Sequence, residues 1–87
     1  MTSDVTMYSS DYCGYCSRAR QLLEAKGIVL TEFCVDGDRN LRKKMTQKSG
    51  QHTVPQIWIG EKHIGGCDDL YLLEREGKLD LLLNNNK

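Results

Sequence analysis

Cys13 and Cys16 are separated by Gly14 and Tyr15, a spacing that serves either thiol–disulfide exchange or one half of a zinc site. Exchange needs a thiolate, and an unperturbed cysteine is mostly protonated at neutral pH. The free N–H groups and positive dipole end at a helix start favour the negative form of Cys13. Cys16, one helical turn on, is then placed to attack a mixed disulfide formed at Cys13. Cys13 is accordingly the expected nucleophile and Cys16 the expected resolving thiol. Zinc would require two more ligands. Cys34 and Cys67 stand alone and His52 and His63 lack finger-like spacing, so no metal is expected.

These cysteines need a strand to deliver them and a helix to hold them. Val5 and Met7 read as a short strand closed by Ser9-Ser10-Asp11, and Ala19, Leu22 and Leu23 follow at helical spacing until Gly27. Ile28 to Val35 reads as a second strand ending in the turn Asp36-Gly37-Asp38. Asp38 is then an N-cap, Leu41 and Met45 the inner face of a second helix, and Ser49-Gly50 its end. Pro55 precedes a strand at Gln56 to Ile59, Gly60-Glu61 turns into an antiparallel Lys62-His63-Ile64, and a helix starts at Asp68-Asp69. Leu79 to Leu83 adds a last helical turn, and Asn84 to Lys87 should fray. The order β-α-β-α-β-β-α predicts an α/β fold with one mixed sheet between helices.

Eighty-seven residues suffice for one domain, expected to span 1–87. Twelve basic and twelve acidic side chains cancel, which gives no reason to expect nucleic acid or an anionic membrane as partner. The basic run from Arg39 to Lys44 lacks interleaved aromatics and reads as the wet face of a helix. Met1 to Thr6 shows no secretory pattern and no window is apolar enough to span a bilayer, so a cytoplasmic protein is expected. In a reducing compartment its cysteines are catalytic or buried rather than structural staples.

Three segments, Cys13-Gly14-Tyr15-Cys16, Thr53-Val54-Pro55-Gln56-Ile57 and His63-Ile64-Gly65-Gly66-Cys67-Asp68-Asp69-Leu70, stand in the order and separation of a known family. The chain resembles the small dithiol glutaredoxins nearly end to end. The resemblance implies a thioredoxin-like fold with a four-stranded mixed sheet. It also implies a glutathione-dependent oxidoreductase that reduces protein disulfides and glutathione mixed disulfides. Glutathione would serve as reductant and co-substrate, held by Tyr15, Thr53, Val54, Pro55, Gly66, Cys67, Asp68 and Asp69. Extended backbone at Val54 suits the peptide-like part of glutathione. The helix start at Cys67 and Asp68 suits its γ-glutamyl carboxylate, and an Asp68 or Asp69 carboxylate its amine. Both aspartates serve equally as plain helix caps on the residue pattern alone. The family makes the bond before Pro55 cis. Its clients would be glutathionylated or disulfide-containing proteins, with ribonucleotide reductase among them, and the working form would be a monomer.

Two positions depart from many dithiol members: Gly14 replaces a proline, and no lysine shortly precedes Cys13. Asp11 adds an anion instead, which Arg18 or Arg20 offsets only by reaching back toward Cys13. Gly14 also keeps an alternative open, a dimeric carrier of a glutathione-ligated [2Fe–2S] cluster, as in relatives with a small residue there. A non-catalytic adaptor is disfavoured because both cysteines are present. Cys34 reads as a small buried apolar residue and His63 as a strand surface residue. His52 is placed near the site without a proton-transfer role, and Trp58 stays open between packing on a helix and exposure.

Overall fold

A computed structural model describes residues 4–84. The chain runs β1 (Val5–Ser9), α1 (Gly14–Ala25), β2 (Leu30–Cys34), α2 (Arg39–Ser49), β3 (Gln56–Ile59), β4 (Lys62–Gly65), α3 (Cys67–Arg75) and α4 (Leu79–Asn84). The expected tail at 84–87 is corrected at Asn84, which closes α4; the rest lies outside the described residues. Among the described residues no helix is long and apolar enough to cross a membrane.

The sheet order is β2-β1-β3-β4, with β1 parallel to β2 and antiparallel to β3, and β3 antiparallel to β4. This is the thioredoxin-like arrangement. Side chains alternate across a strand, and each face of the sheet carries its own core. Val5 and Met7 of β1 and Ile57 and Ile59 of β3 pack with Ala19 and Leu23 of α1, Leu70 of α3 and Leu79 and Leu83 of α4. On the other face Tyr8 and Trp58 pack with Val35 and with Met45 of α2, flanked by Leu41. Full burial of one such leucine or methionine contributes about 1.5–3 kcal/mol. Trp58 is thereby settled as a core residue, edge-on to Tyr8 at 5.4 Å with the Lys48 ammonium 4.8 Å over its ring.

Local signals fix the helix ends. Asp38 Oδ1 accepts the Leu41 N–H at 2.9 Å, an N-cap as expected. Gly50 ends α2 with φ +74°, a left-handed cap that a Cβ would strain. Lys26, just past α1, pairs with Glu74 of α3 at 2.8 Å and with Asp80 of α4 at 2.9 Å, tying the three helices of one face together.

Cys34 requires a correction, for it is exposed rather than buried. It ends an edge strand whose residues beyond Leu30 are all exposed, and its Sγ meets the Asp11 carboxylate at 3.5 Å instead of an apolar side chain.

The pairing registers determine where the site forms. Tyr8 lies opposite Gln56, so the chain leaving β1 toward Cys13 runs beside the chain entering β3 from Pro55. Ile57 lies opposite Gly65, so β4 returns its end to the same edge and starts α3 there.

Candidate active site

Cys13 is the N-cap of α1, with extended backbone (φ −118°, ψ 109°) that turns its sulfur onto the first helical turn. The Cys16 N–H donates to Cys13 Sγ at 3.2 Å, one of the orphan donors of a helix start placed on the reacting atom. Cys13 is half-buried, whereas Cys16 is fully buried beneath it. Burial pushes the Cys16 thiol from 9.0 up to about 12, helped by hydrogen bonding to Cys13 and by its charge. The two sulfurs are thus unequal: one is partly open to solvent, the other is buried and holds its proton more tightly.

The charged side chains nearby point elsewhere. The Asp11 carboxylate faces Cys34, and its N–H donates to Asp36 at 2.8 Å. Arg20 does not reach back toward Cys13; it forms a two-pronged pair with Glu32 of β2, holding that carboxyl below its ordinary range. Arg18 lies 5.5 Å over the Tyr71 ring, and the Tyr71 hydroxyl donates to the Arg18 carbonyl at 3.1 Å.

Beside Cys13 lies a cleft of about 290 Å³ lined by Tyr15, Gln51, Thr53, Val54, Pro55, Gly66, Cys67, Asp68 and Asp69. All eight residues expected around a ligand line this one space, together with Gln51, which sequence reasoning missed. The Val54–Pro55 bond is cis, and Cys13 Sγ stands 4.0 Å from the Val54 carbonyl oxygen. Tyr15 is largely exposed at the rim.

On the far wall the chain turns from β4 into α3 through Gly65 and Gly66. Gly65 has φ +115°, and a Cβ there would run into the Asp69 carboxylate. That carboxylate accepts the Gly66 N–H at 3.0 Å, the reach-back of an N3 side chain to the N-cap backbone. The two aspartates are thereby told apart. Asp69 caps its own helix, while Asp68 is exposed on the cleft wall with no side-chain partner among the described residues. Cys67 is buried, and burial raises its thiol against the pull of Arg18.

Behind the cleft wall lies a buried polar network, also missed. Gln56 is fully buried on a strand otherwise made of Ile57, Trp58 and Ile59. Its Nε2 donates to Gln51 Oε1 and the Thr53 carbonyl at 3.0 Å each, and to Thr53 Oγ1 at 3.3 Å. His63 Nε2 stands 2.8 Å from Gln56 Oε1, so this histidine is a half-buried member of the network rather than a plain surface residue. The signal for it was the lone amide in an apolar strand, since a buried polar group must be paired. His52 is exposed, and its carbonyl accepts from Arg42 at 3.3 Å.

A buried thiol under an accessible one, at the start of the first helix of a thioredoxin-like fold, defines a thiol–disulfide oxidoreductase. The Glutaredoxin family model matches residues 5–64. A glutaredoxin of Pseudomonas aeruginosa is 55% identical over 80 residues, covering 92% of this chain and 95% of that one. Glutaredoxin 3 of Escherichia coli K12 is 48% identical over 81 residues, covering 93% and 98%. The solution structure of the Brucella melitensis glutaredoxin, 49% identical, matches with a TM-score of 0.86 over 99% of this chain and 94% of that one. The crystal structure of a buckwheat glutaredoxin–glutathione complex, 36% identical, matches with a TM-score of 0.87 over 95% and 78%. The chain belongs to the glutaredoxin family, whose activity is thiol–disulfide exchange and which uses glutathione.

Proposed function

We propose that this chain reduces mixed disulfides between glutathione and proteins, and protein disulfides, with Cys13 as nucleophile and glutathione seated in the cleft beside it. The observation that carries this reading is the convergence of Tyr15, Thr53–Pro55 and Gly66–Asp69 on one cleft, with Cys13 Sγ 4.0 Å from the Val54 carbonyl of its wall. Its chemistry suits a tripeptide with two carboxylates and one amine. Extended backbone at Val54 offers peptide hydrogen bonds to the central cysteine unit. The α3 start offers N–H groups to the γ-glutamyl carboxylate, and the unpaired Asp68 carboxylate offers a partner to the amine beside it. Gln51 spends its Oε1 on Gln56 and so has its NH2 left for the remaining carboxylate.

In the first step the Cys13 thiolate attacks the glutathione sulfur of a protein–glutathione disulfide. The S–S bond breaks, the protein thiolate leaves and takes a proton, and Cys13 carries glutathione. A second glutathione thiolate attacks that sulfur, releasing oxidised glutathione and the Cys13 thiolate. With a protein disulfide, Cys16 loses its proton and attacks Cys13 instead. This frees the second protein thiol and leaves a Cys13–Cys16 disulfide that two glutathiones reduce. Ribonucleotide reductase, a cytoplasmic setting and a monomeric working form are consistent with this reading.

The test is a glutathione-coupled assay on a small glutathione mixed disulfide. Cys13→Ser should abolish turnover and Cys16→Ser should retain it, because that substrate needs one protein thiol. Equal loss in both variants would refute the division of roles.

A further inference from the structure

The buried amide of Gln56 links the cleft to a side chain outside it. Its NH2 faces three oxygens of the cleft loop, namely Gln51 Oε1, the Thr53 carbonyl and Thr53 Oγ1. The Thr53 backbone carbonyl can only accept, so reversing the Gln56 amide would set two oxygens against each other, and its NH2 end must face the loop. Gln56 Oε1 therefore points to β4, and as a fully buried acceptor it needs a donor there. His63 Nε2, 2.8 Å away, is placed to meet that need when it carries the ring proton. The ring is held for the task, because His63 lies opposite Trp58 in the β3–β4 register and packs against it, tilted by 37° with centroids 4.8 Å apart.

The consequence passes to the ligand side. Gln51 is anchored through its backbone by Ser49, whose Oγ accepts the Gln51 N–H at 3.0 Å and donates to the Gln51 carbonyl at 3.1 Å. Its side-chain amide is oriented by Gln56, which occupies the oxygen end and leaves the NH2 end for the cleft. An amide turned the other way would present an acceptor to an anionic ligand.

We propose that His63, although it does not line the cleft, is a positioning residue for glutathione. Through Gln56 it sets the polarity of the Gln51 amide and holds Thr53 and Val54 where the ligand backbone pairs. This rests on the reading that the cleft binds glutathione. His63 touches neither sulfur, so its effect falls on recognition and leaves Cys13 chemistry alone.

His63→Phe keeps a ring against Trp58 and deletes the donor. With a glutathione mixed disulfide its KM should rise about fivefold, the order expected for one net hydrogen bond. Its kcat and the iodoacetamide alkylation rate of Cys13 should match wild type. His63→Gln restores a donor and should bring KM most of the way back. In a Gln51→Ala background, His63→Phe should add about twofold or less, because the two act along one chain of contacts. An unchanged KM, a Cys13 alkylation rate that falls together with it, or full additivity with Gln51→Ala would overturn the proposal.

A measurement on wild type alone is equally decisive. Imidazole 15N shifts at a pH where the ring is neutral should show the Nε2–H tautomer, and the Nδ1–H tautomer would overturn the proposal. A cysteamine mixed disulfide of the same thiol separates the two levels. A wild type with no preference for the glutathione disulfide defeats the proposed function and this inference with it. A wild-type preference that survives intact in His63→Phe defeats this inference alone.

Discussion

Replacing Cys16 by serine removes a thiol that burial, hydrogen bonding to the Cys13 sulfur and the Cys13 charge push from 9.0 up to about 12. Below the lower value both the folded and the unfolded chain hold this proton, and the contribution to stability is complete. Between the two values the unfolded chain releases the proton while the folded chain keeps it, so stability falls as pH rises, by about 1.4 kcal/mol per pH unit. Urea unfolding of the reduced protein, compared between wild type and Cys16→Ser from about pH 8 to about 10.5, with Cys13→Ser and the double variant completing the cycle, separates this group from Cys13, with which it interacts. The wild type should lose about 2 kcal/mol relative to the variant over the last 1.5 or so pH units. Parallel curves would show that Cys16 ionises as an ordinary thiol, and the physical reason for its silence as a nucleophile would be gone. In the proposed reaction, the hydrogen bond to Cys13 and the Cys13 charge would be lost once Cys13 enters a mixed disulfide, so Cys16 would ionise more readily at the step where it is to attack.

Gly65→Ala forces a side chain into a left-handed backbone and against Asp69; strain and the lost cap together should cost about 2–4 kcal/mol, read as a melting temperature lower by at least about 10 °C. Asp69→Ala should lose about 1 kcal/mol with the cap, whereas Asp68→Asn should leave the melting temperature alone and raise KM for glutathione; the reverse pattern would exchange their roles. Glu32→Gln breaks the half-buried pair with Arg20 and should cost about 1 kcal/mol at neutral pH. Because the Glu32 carboxyl is held below its ordinary 4.5, that stability is present above this value and lost as pH falls, so the variant should match wild type in acid melts. Cys34→Ala should change neither melting temperature nor turnover, and a loss of either would contradict its exposed position.

Element types were legible wherever one period dominated: Ala19, Leu22 and Leu23 mark a helix face, and Asp38 and Gly50 mark its neighbour's ends. Trp58 was not legible, because all four residues of β3 are buried and burial on both faces erases the alternation that assigns a side. Cys34 was misread for a related reason. A run of strand-forming residues does not say whether the strand will be central or at the edge, and β2 is at the edge. The roles of Asp68 and Asp69 were separable in principle. Gly66 as N-cap puts Asp69 at the third helical position, where a carboxylate folds back on the cap, but one residue's error in the helix start exchanges the pair.

The cleft itself follows from strand directions more than from any motif. Since β3 runs antiparallel to β1, the entry to one lies beside the exit from the other, and Pro55 must meet the loop that carries Cys13. Since β4 runs antiparallel to β3, its exit returns to that edge, and the helix it starts must open there. Three segments far apart in the chain thus meet at one end of the sheet without a long connection. Gln51 and Gln56 were hidden because their roles depend on that closure. In the proposed chain of contacts, the Gln51 amide can offer its NH2 to a ligand because the buried Gln56 amide takes up its oxygen. Polarity in the cleft is therefore set from the sheet upward, from His63 through Gln56 to Gln51, while reactivity is set from the helix downward, from the Cys16 N–H to the Cys13 sulfur. Changes on the first path should move recognition, changes on the second should move the chemical step, and a variant that crosses that division would show the two to be coupled through the Val54 backbone.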